Sequence, residues 1–217
     1  MRSVRVVPAI LTDSPISLGQ MVSGANSFAT YVQIDIMDGV FVPSSSIGAH
    51  DLRTAGIRFE WEAHLMVERP QGDLEAFKEI GARRVIFHLE SKSDPEETVK
   101  QAKSIGLEIG LALNPETAVA EAMPLLGKVD SVLLMTVHPG YYGSEFIPEV
   151  LEKVGQVREA RADLEIGVDG GIKEDNLLHV VRSGVDTVCV GSAIFRSPDP
   201  AASLRRLSEL ARHAWQR

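Results

Sequence analysis

Along Tyr31-Val32-Gln33-Ile34-Asp35-Ile36-Met37-Asp38-Gly39, apolar Val32, Ile34 and Ile36 keep a period of two, and Asp38-Gly39 closes the run as a turn. The pattern predicts a strand that sends Gln33 and Asp35 to the side opposite its apolar residues. In a solvated antiparallel sheet that side would be water. In a parallel barrel it is packed interior, where an unpaired carboxylate is costly. Asp35 therefore needs a partner supplied by another part of the chain.

Seven further runs read as strands: 4–11, with Pro8 ending regular pairing, then 58–65, 83–88, 107–113, 131–137, 164–168 and 186–190. Helices are predicted between them. One covers 16–26 behind the Asp13-Ser14-Pro15 start signal, and another follows Arg69-Pro70 with Leu74, Phe77 and Ile80 on one face. The others run from Ser93-Asp94-Pro95 to Gly106 and over 118–126, 148–160, 175–183 and 200–215. Eight strand–helix units predict a (β/α)8 TIM barrel, read as a single domain over 1–217. A doubly wound open sheet fits less well, because no G-x-G-x-x-G follows the first strand.

Composition narrows the partners. The 217 residues include 30 acidic and 22 basic side chains, a net charge of −8 that repels nucleic-acid backbones and acidic membrane surfaces. Any phosphate must be held locally, by backbone N–H groups or helix ends. The only cysteine, Cys189, lies between Val188 and Val190 and reads as an inert buried residue. No apolar run reaches the roughly 18–20 residues of a membrane span, and the first residues lack a signal-type apolar core. The expectation is a cytoplasmic protein with no membrane and no nucleic-acid partner.

Barrel chemistry sits at the C-terminal strand ends. Those ends carry Pro8-Ala9, Asp35, His64, His88, Asn114, Thr136 with His138, Asp169 and Gly191-Ser192. Asp35, His64 and Asp169 form a carboxylate–imidazole–carboxylate set drawn from three strands. Two opposed carboxylates suit proton removal from one face of a carbon and return to the other. With an imidazole they also suit a divalent metal, which would polarise a ketone beside the acidic C–H. Glycine loops after the sixth, seventh and eighth strands, Pro139-Gly140-Tyr141-Tyr142-Gly143-Ser144, Asp169-Gly170-Gly171 and Gly191-Ser192, offer bare backbone to a phosphate.

These residues, in this order, resemble the ribulose-phosphate 3-epimerase family. The resemblance rests on Ile34-Asp35-Ile36-Met37-Asp38 with Phe41-Val42-Pro43, His64-Leu65-Met66-Val67, Leu113-Asn114-Pro115 and Val137-His138-Pro139-Gly140. Phe146-Ile147-Pro148, Val168-Asp169-Gly170-Gly171 and Gly191-Ser192-Ala193-Ile194-Phe195 complete it, from about Val6 to Phe195. It implies a ribulose-phosphate-binding barrel that interconverts D-ribulose 5-phosphate and D-xylulose 5-phosphate in pentose phosphate metabolism, with a zinc, iron, manganese or cobalt ion. By position, Asp35 and Asp169 match the acid/base pair and, with His64, metal ligands. Gly140, Gly143, Ser144, Gly170, Gly171, Gly191 and Ser192 match the segments that hold substrate and phosphate, where His64 also belongs. Met37, Met66 and Met135 match pocket methionines, and the resemblance suggests a homo-oligomer.

The departures cluster at the same mouth. Gln33 stands where the family has its first metal-binding histidine, and a carboxamide is a weaker ligand than imidazole. Ala9 replaces a serine, Ser44 an asparagine, and in the sixth-strand loop Gly140-Tyr141-Tyr142-Gly143-Ser144 the Tyr142 side chain adds bulk where backbone would approach the ligand. His138, beside that loop, is a candidate pocket residue and a candidate replacement ligand. Two further readings follow: a hexulose-6-phosphate epimerase of the same kind, and a metal-free sugar-phosphate-binding protein with little turnover. An orotidine-phosphate decarboxylase is set aside, because Ile36 and Met37 leave no lysine between Asp35 and Asp38.

Overall fold

The computed structural model describes residues 4–140 and 144–215. Eight strands close into one parallel barrel, each paired with its neighbours in chain order and the first with the last. They are β1 (Arg5–Ile10), β2 (Tyr31–Met37), β3 (Glu60–Met66), β4 (Arg84–His88), β5 (Glu108–Leu113), β6 (Ser131–Met135), β7 (Glu165–Asp169) and β8 (Thr187–Val190). Between and after them lie α1 (Pro15–Ala25), α2 (Ala49–Leu52), α3 (Leu74–Glu79), α4 (Pro95–Ser104), α5 (Val119–Ala122), α6 (Glu152–Ala160), α7 (Glu174–Arg182), α8 (Ser192–Phe195) and α9 (Pro200–Trp215).

Local chemistry sets many of these boundaries. The Ser14 hydroxyl accepts from Ser17 N at the start of α1, and the Asp94 carboxylate accepts from Glu96 N and Glu97 N at the start of α4; Pro follows each cap. Three expectations are corrected. Pro8 does not end pairing but stays inside β1, opposite Val190. The helix expected over 118–126 is the single turn α5. The helix expected from Pro148 begins as a 3-10 turn, Pro148–Leu151, before α6.

Strand alternation divides the apolar residues between two cores. Val32, Ile34, Ile36, Leu65, Phe87, Leu111 and Val168 face outward into the layer between sheet and helices, with Leu18, Leu74, Phe77, Val154 and Leu177 from the helices. Fully burying such a side chain contributes about 1.5–3 kcal/mol each, so this layer carries most of the cohesion. The interior holds a smaller apolar cluster of Val7, Ala9, Tyr31, Ile86, Ala112, Leu133, Met135, Val137 and Cys189.

Polar groups occupy the two ends of that interior. At the N-terminal end, Arg84 of β4 pairs with Glu62, Glu108 and Glu165, Tyr31 Oη donates to Glu62, and Arg5 lies over the Tyr31 ring. Burial raises the Glu62 pKa, opposed by the Arg84 charge and the Tyr31 bond. This plug closes the bottom of the barrel. The C-terminal end is open and holds the candidate site.

Candidate active site

Parallel register sets the site. Asp35 on β2 lies opposite His64 on β3, and Asp169 on β7 lies between Met135 and Cys189 on its neighbours. Outward Ile34 and Ile36 are held by the helix layer, so Asp35 and Gln33 have no course but inward. Asp169 is anchored through its backbone: Thr136 Oγ1 lies within donor distance of the carbonyls of Asp169 and Gly170, at 3.0 and 2.7 Å.

The acids meet around two buried side chains. Gln33 Nε2 donates to Asp35 Oδ1 at 2.9 Å and to Asp169 Oδ2 at 2.7 Å. His64 Nδ1 faces the same two oxygens at 2.9 and 3.5 Å. Asp35 therefore has the partners its burial demands, and Asp35 Oδ2 and Asp169 Oδ1 accept no hydrogen bond among the described residues. About a tenth of each acid side chain is exposed, on the cavity side, while His64 is fully buried beneath them.

A second histidine fixes the proton positions. His64 Nε2 lies 2.9 Å from His88 Nε2, and His88 Nδ1 lies 3.2 Å from Glu90 Oε2. Nδ1 of His88 must donate to the carboxylate, so its Nε2 is an acceptor and His64 Nε2 carries a hydrogen. With Nδ1 also donating to the acids, His64 is an imidazolium. The electrostatics agree. Burial alone would lower the His64 pKa, but its bonds to Asp169 and Asp35 raise it to about 9. Burial and the His64 charge lower His88 to about 4 despite Glu90. Burial, then the neighbouring Asp169 charge, raises the Asp35 carboxyl. Glu90 accepts in turn from the Asn114 backbone N–H and the Thr117 hydroxyl.

Above the acids opens a cavity of about 330 Å³ lined by Ala9, Met37, Met66 and Met135, and by Gly140, Ser144, Gly170, Gly171, Gly191 and Ser192. That is the small end of the range for ligand sites. The loop after β7 admits only glycine. At Gly170, φ is +115° and an added Cβ would sit 2.4 Å from Val137 Cγ2. Its backbone is thus pressed to the cavity wall. Arg196, just after α8, is the one cationic side chain among the described residues lining the cavity.

Most of the expected residues converge here. Gly143, with Tyr141 and Tyr142, lies outside the described residues. His138 is corrected: its side chain is 66% exposed, does not line the cavity and pairs with Glu116 at 2.8 Å, because its β6 loop carries it outward. It belongs neither to the pocket nor to the acid cluster. Cys189 is more than inert packing, since its Sγ donates to Gln33 Oε1 at 3.1 Å. Its strand position showed in the sequence; its bond did not. His88 is a polar strand end in the sequence, whereas nothing there marks Glu90 two residues on, or Arg196.

Asp35, His64 and Asp169 each offer one ligand atom, all within 4.8 Å of one another. Two hard oxygens and an imidazole fit a divalent ion. Gln33 does not complete a fourth position, because its amide nitrogen faces the acids. Among the described residues no helix is long and apolar enough to cross a membrane.

A closed parallel barrel whose open mouth gathers an acid–imidazole–acid cluster beneath a small glycine-walled cavity is the frame of an enzyme. The model of the ribulose-phosphate 3 epimerase family matches residues 5–195. The chain belongs to that family, and it is an epimerase, an isomerase acting on a sugar phosphate. It is 34% identical to ribulose-phosphate 3-epimerase of Aquifex aeolicus over 214 residues, covering 94% of this chain and 96% of that protein. It is 34% identical to the Escherichia coli K12 ribulose-phosphate 3-epimerase over 221 residues, covering 98% of each. Among solved structures, KGPDC from Streptococcus mutans in complex with D-R5P aligns with a TM-score of 0.76 at 14% identity, over 98% of this chain and 99% of that one. The 3-hexulose-6-phosphate synthase from Salmonella typhimurium aligns at 0.71 and 18%, over 97% and 100%. Both show the barrel fold.

Proposed function

We propose that the protein interconverts D-ribulose 5-phosphate and D-xylulose 5-phosphate, with Asp35 and Asp169 as the acid/base pair. The observation that carries this reading is the pairing of two buried carboxylates that share donors on one side and turn their other oxygens to one small cavity. A carbon held between them can lose its proton to one acid and regain one from the other on the opposite face.

The reaction starts with one acid protonated and one ionised. The raised Asp35 pKa makes Asp35 Oδ2 the natural seat of the proton in one direction. Asp169 then takes the C3 proton, the electron pair passes into an enediolate over C2 and C3, and Asp35 protonates C3 from the other side. The pair ends with its protonation exchanged, ready for the reverse reaction. His64 and Gln33 hold the inner oxygens throughout, so neither acid turns away between the two transfers. Burial excludes bulk water, which would otherwise quench the carbanion.

Asp35, His64 and Asp169 are the residues that would hold a divalent ion. When bound, that ion supplies charge stabilisation for the enediolate oxygens. The phosphate end is assigned to the backbone of Gly170-Gly171 and Gly191-Ser192, which line the same cavity. The oxygen-poor wall of Met37, Met66 and Met135 suits the flat enediolate rather than extra hydroxyl groups.

Asp35→Asn and Asp169→Asn should each lower kcat by about 10²–10⁴-fold. Each should also abolish solvent-deuterium incorporation at C3 by one of the two routes. Full turnover of ribulose 5-phosphate by either variant refutes the assignment.

A further inference from the structure

The least expected contact in the site is the bridge that Gln33 makes between the two acids. Gln33 is fully buried, and each of its polar atoms is occupied. Its Nε2 donates one hydrogen to Asp35 and one to Asp169, and its Oε1 accepts from the Cys189 thiol. The orientation is forced. Turned the other way, the carboxamide oxygen would face two carboxylate oxygens at 2.9 and 2.7 Å. Cys189 is equally committed, because burial, then the charges of Asp169, Glu62 and Asp35, raises its pKa and keeps the sulfur protonated as a donor.

We propose that Gln33, oriented by the Cys189 thiol, is a positioning clamp for the two acids and not a metal ligand. Three side chains, Asp35, His64 and Asp169, are then all that this cluster offers a cation. The clamp has a specific function in the proposed chemistry, on whose acid-pair assignment it rests. Fixing Asp35 Oδ1 and Asp169 Oδ2 to one rigid amide leaves the other oxygen of each acid to serve the cavity that both acids line. A carboxylate free to rotate about its last bond would spend much of its time turned away from C3. The amide does this without net charge, so it leaves the proton balance of the pair to the acids and His64.

The proposal separates two properties that a ligand role would couple. Gln33→Met keeps the length of the side chain but removes both donors. In metal-stripped protein loaded with cobalt(II) alone, the visible d–d bands of Gln33→Met should match those of the parent because the ligand set is unchanged; zinc affinity does not separate the two roles, since losing a group that supports ligating carboxylates itself typically costs about 10–100-fold. In zinc-loaded enzyme, kcat should fall about tenfold or more, with KM for ribulose 5-phosphate within about twofold, since the acids are misaimed but the substrate still binds. Cys189→Ser keeps a donor and should lose less kcat than Cys189→Ala, which frees the amide to turn. The thiol variants serve as a second route should Gln33→Met fail to fold.

A shifted d–d spectrum in cobalt-loaded Gln33→Met would make Gln33 a ligand and overturn the proposal. So would unchanged kcat, or equal losses in the two Cys189 variants. The two levels of inference fail separately. If Asp35→Asn and Asp169→Asn are inactive while Gln33→Met is normal, only the clamp is wrong; if either Asp variant is fully active, the acid-pair reading itself is wrong.

Discussion

Raising the pH of the metal-stripped protein from 6.5 to 9.5 should destabilise it by about 3 kcal/mol through His64. The folded ring has a pKa of about 9, while the unfolded value is close to 6.5. The folded state therefore holds this proton more tightly. The stability it contributes is complete below pH 6.5 and is lost as pH rises through 9. At about 1.4 kcal/mol per pH unit, that interval yields roughly the stated 3 kcal/mol. Asp35 acts in the same sense, since the stability from its raised carboxyl pKa is also lost as pH rises through that value.

His88 acts in the opposite sense. Its folded pKa is about 4, so below pH 6.5 the unfolded chain takes up a proton that the folded chain refuses. Its contribution is present above pH 6.5 and is lost as pH falls through 4, again about 3 kcal/mol. The lowered carboxyl pKa values of Glu90 and Glu165 steepen the same acid limb. Two stacked imidazoles with ring centroids 5.1 Å apart thus place the stability maximum near pH 6.5. Urea denaturation in the presence of a chelator, followed by tryptophan fluorescence, reads this directly. With a slope of about 3 kcal/mol per molar for a chain of this size, the midpoint should fall by about 1 M between pH 6.5 and 9.5. His64→Gln should lose most of that alkaline limb. A flat or rising wild-type curve over the interval, or an equal fall in His64→Gln, refutes the protonation scheme.

Two more outcomes follow from the opposite ends of the barrel. Arg196→Met should raise KM for a phosphorylated ketose about tenfold and make it less salt-dependent, while kcat stays within about twofold. Initial-rate kinetics at two ionic strengths checks this, and an unchanged KM would show that Arg196, although it lines the cavity, takes no part in holding the phosphate. At the closed end, Arg84→Met leaves Glu62 buried without its cation and should cost about 3–5 kcal/mol in urea denaturation at pH 7. Its kcat below the melting range should match the parent, and a kcat loss without destabilisation would place this plug in the reaction.

The alternation of Val32, Ile34 and Ile36 around Gln33 and Asp35 was enough to orient β2, because side-chain direction in a strand is a local property. The same locality made the Ser14-Pro15 and Asp94-Pro95 helix starts, the eight strands, and the presence of Asp35, His64 and Asp169 at strand ends legible in the sequence. It also explains the misjudged lengths. Residues 118–126 are apolar enough for a helix, but only α5 has the backbone bonds of one. Proline 8 is compatible with a strand whose pairing the sequence does not display.

What closure of the barrel alone decided are the contacts between residues far apart in the chain. Gln33 reaches Asp169 across 136 positions and Cys189 across 156. Only that meeting turned a weak candidate ligand into a donor between two acids, and an inert thiol into the group that orients it. His138 shows the converse: its place beside a strand end promised a role in the mouth, and the course of its loop sent it outward to Glu116. Residue types and their period determine which side chains face inward; register and ring closure determine which of them touch, and hence where each proton resides.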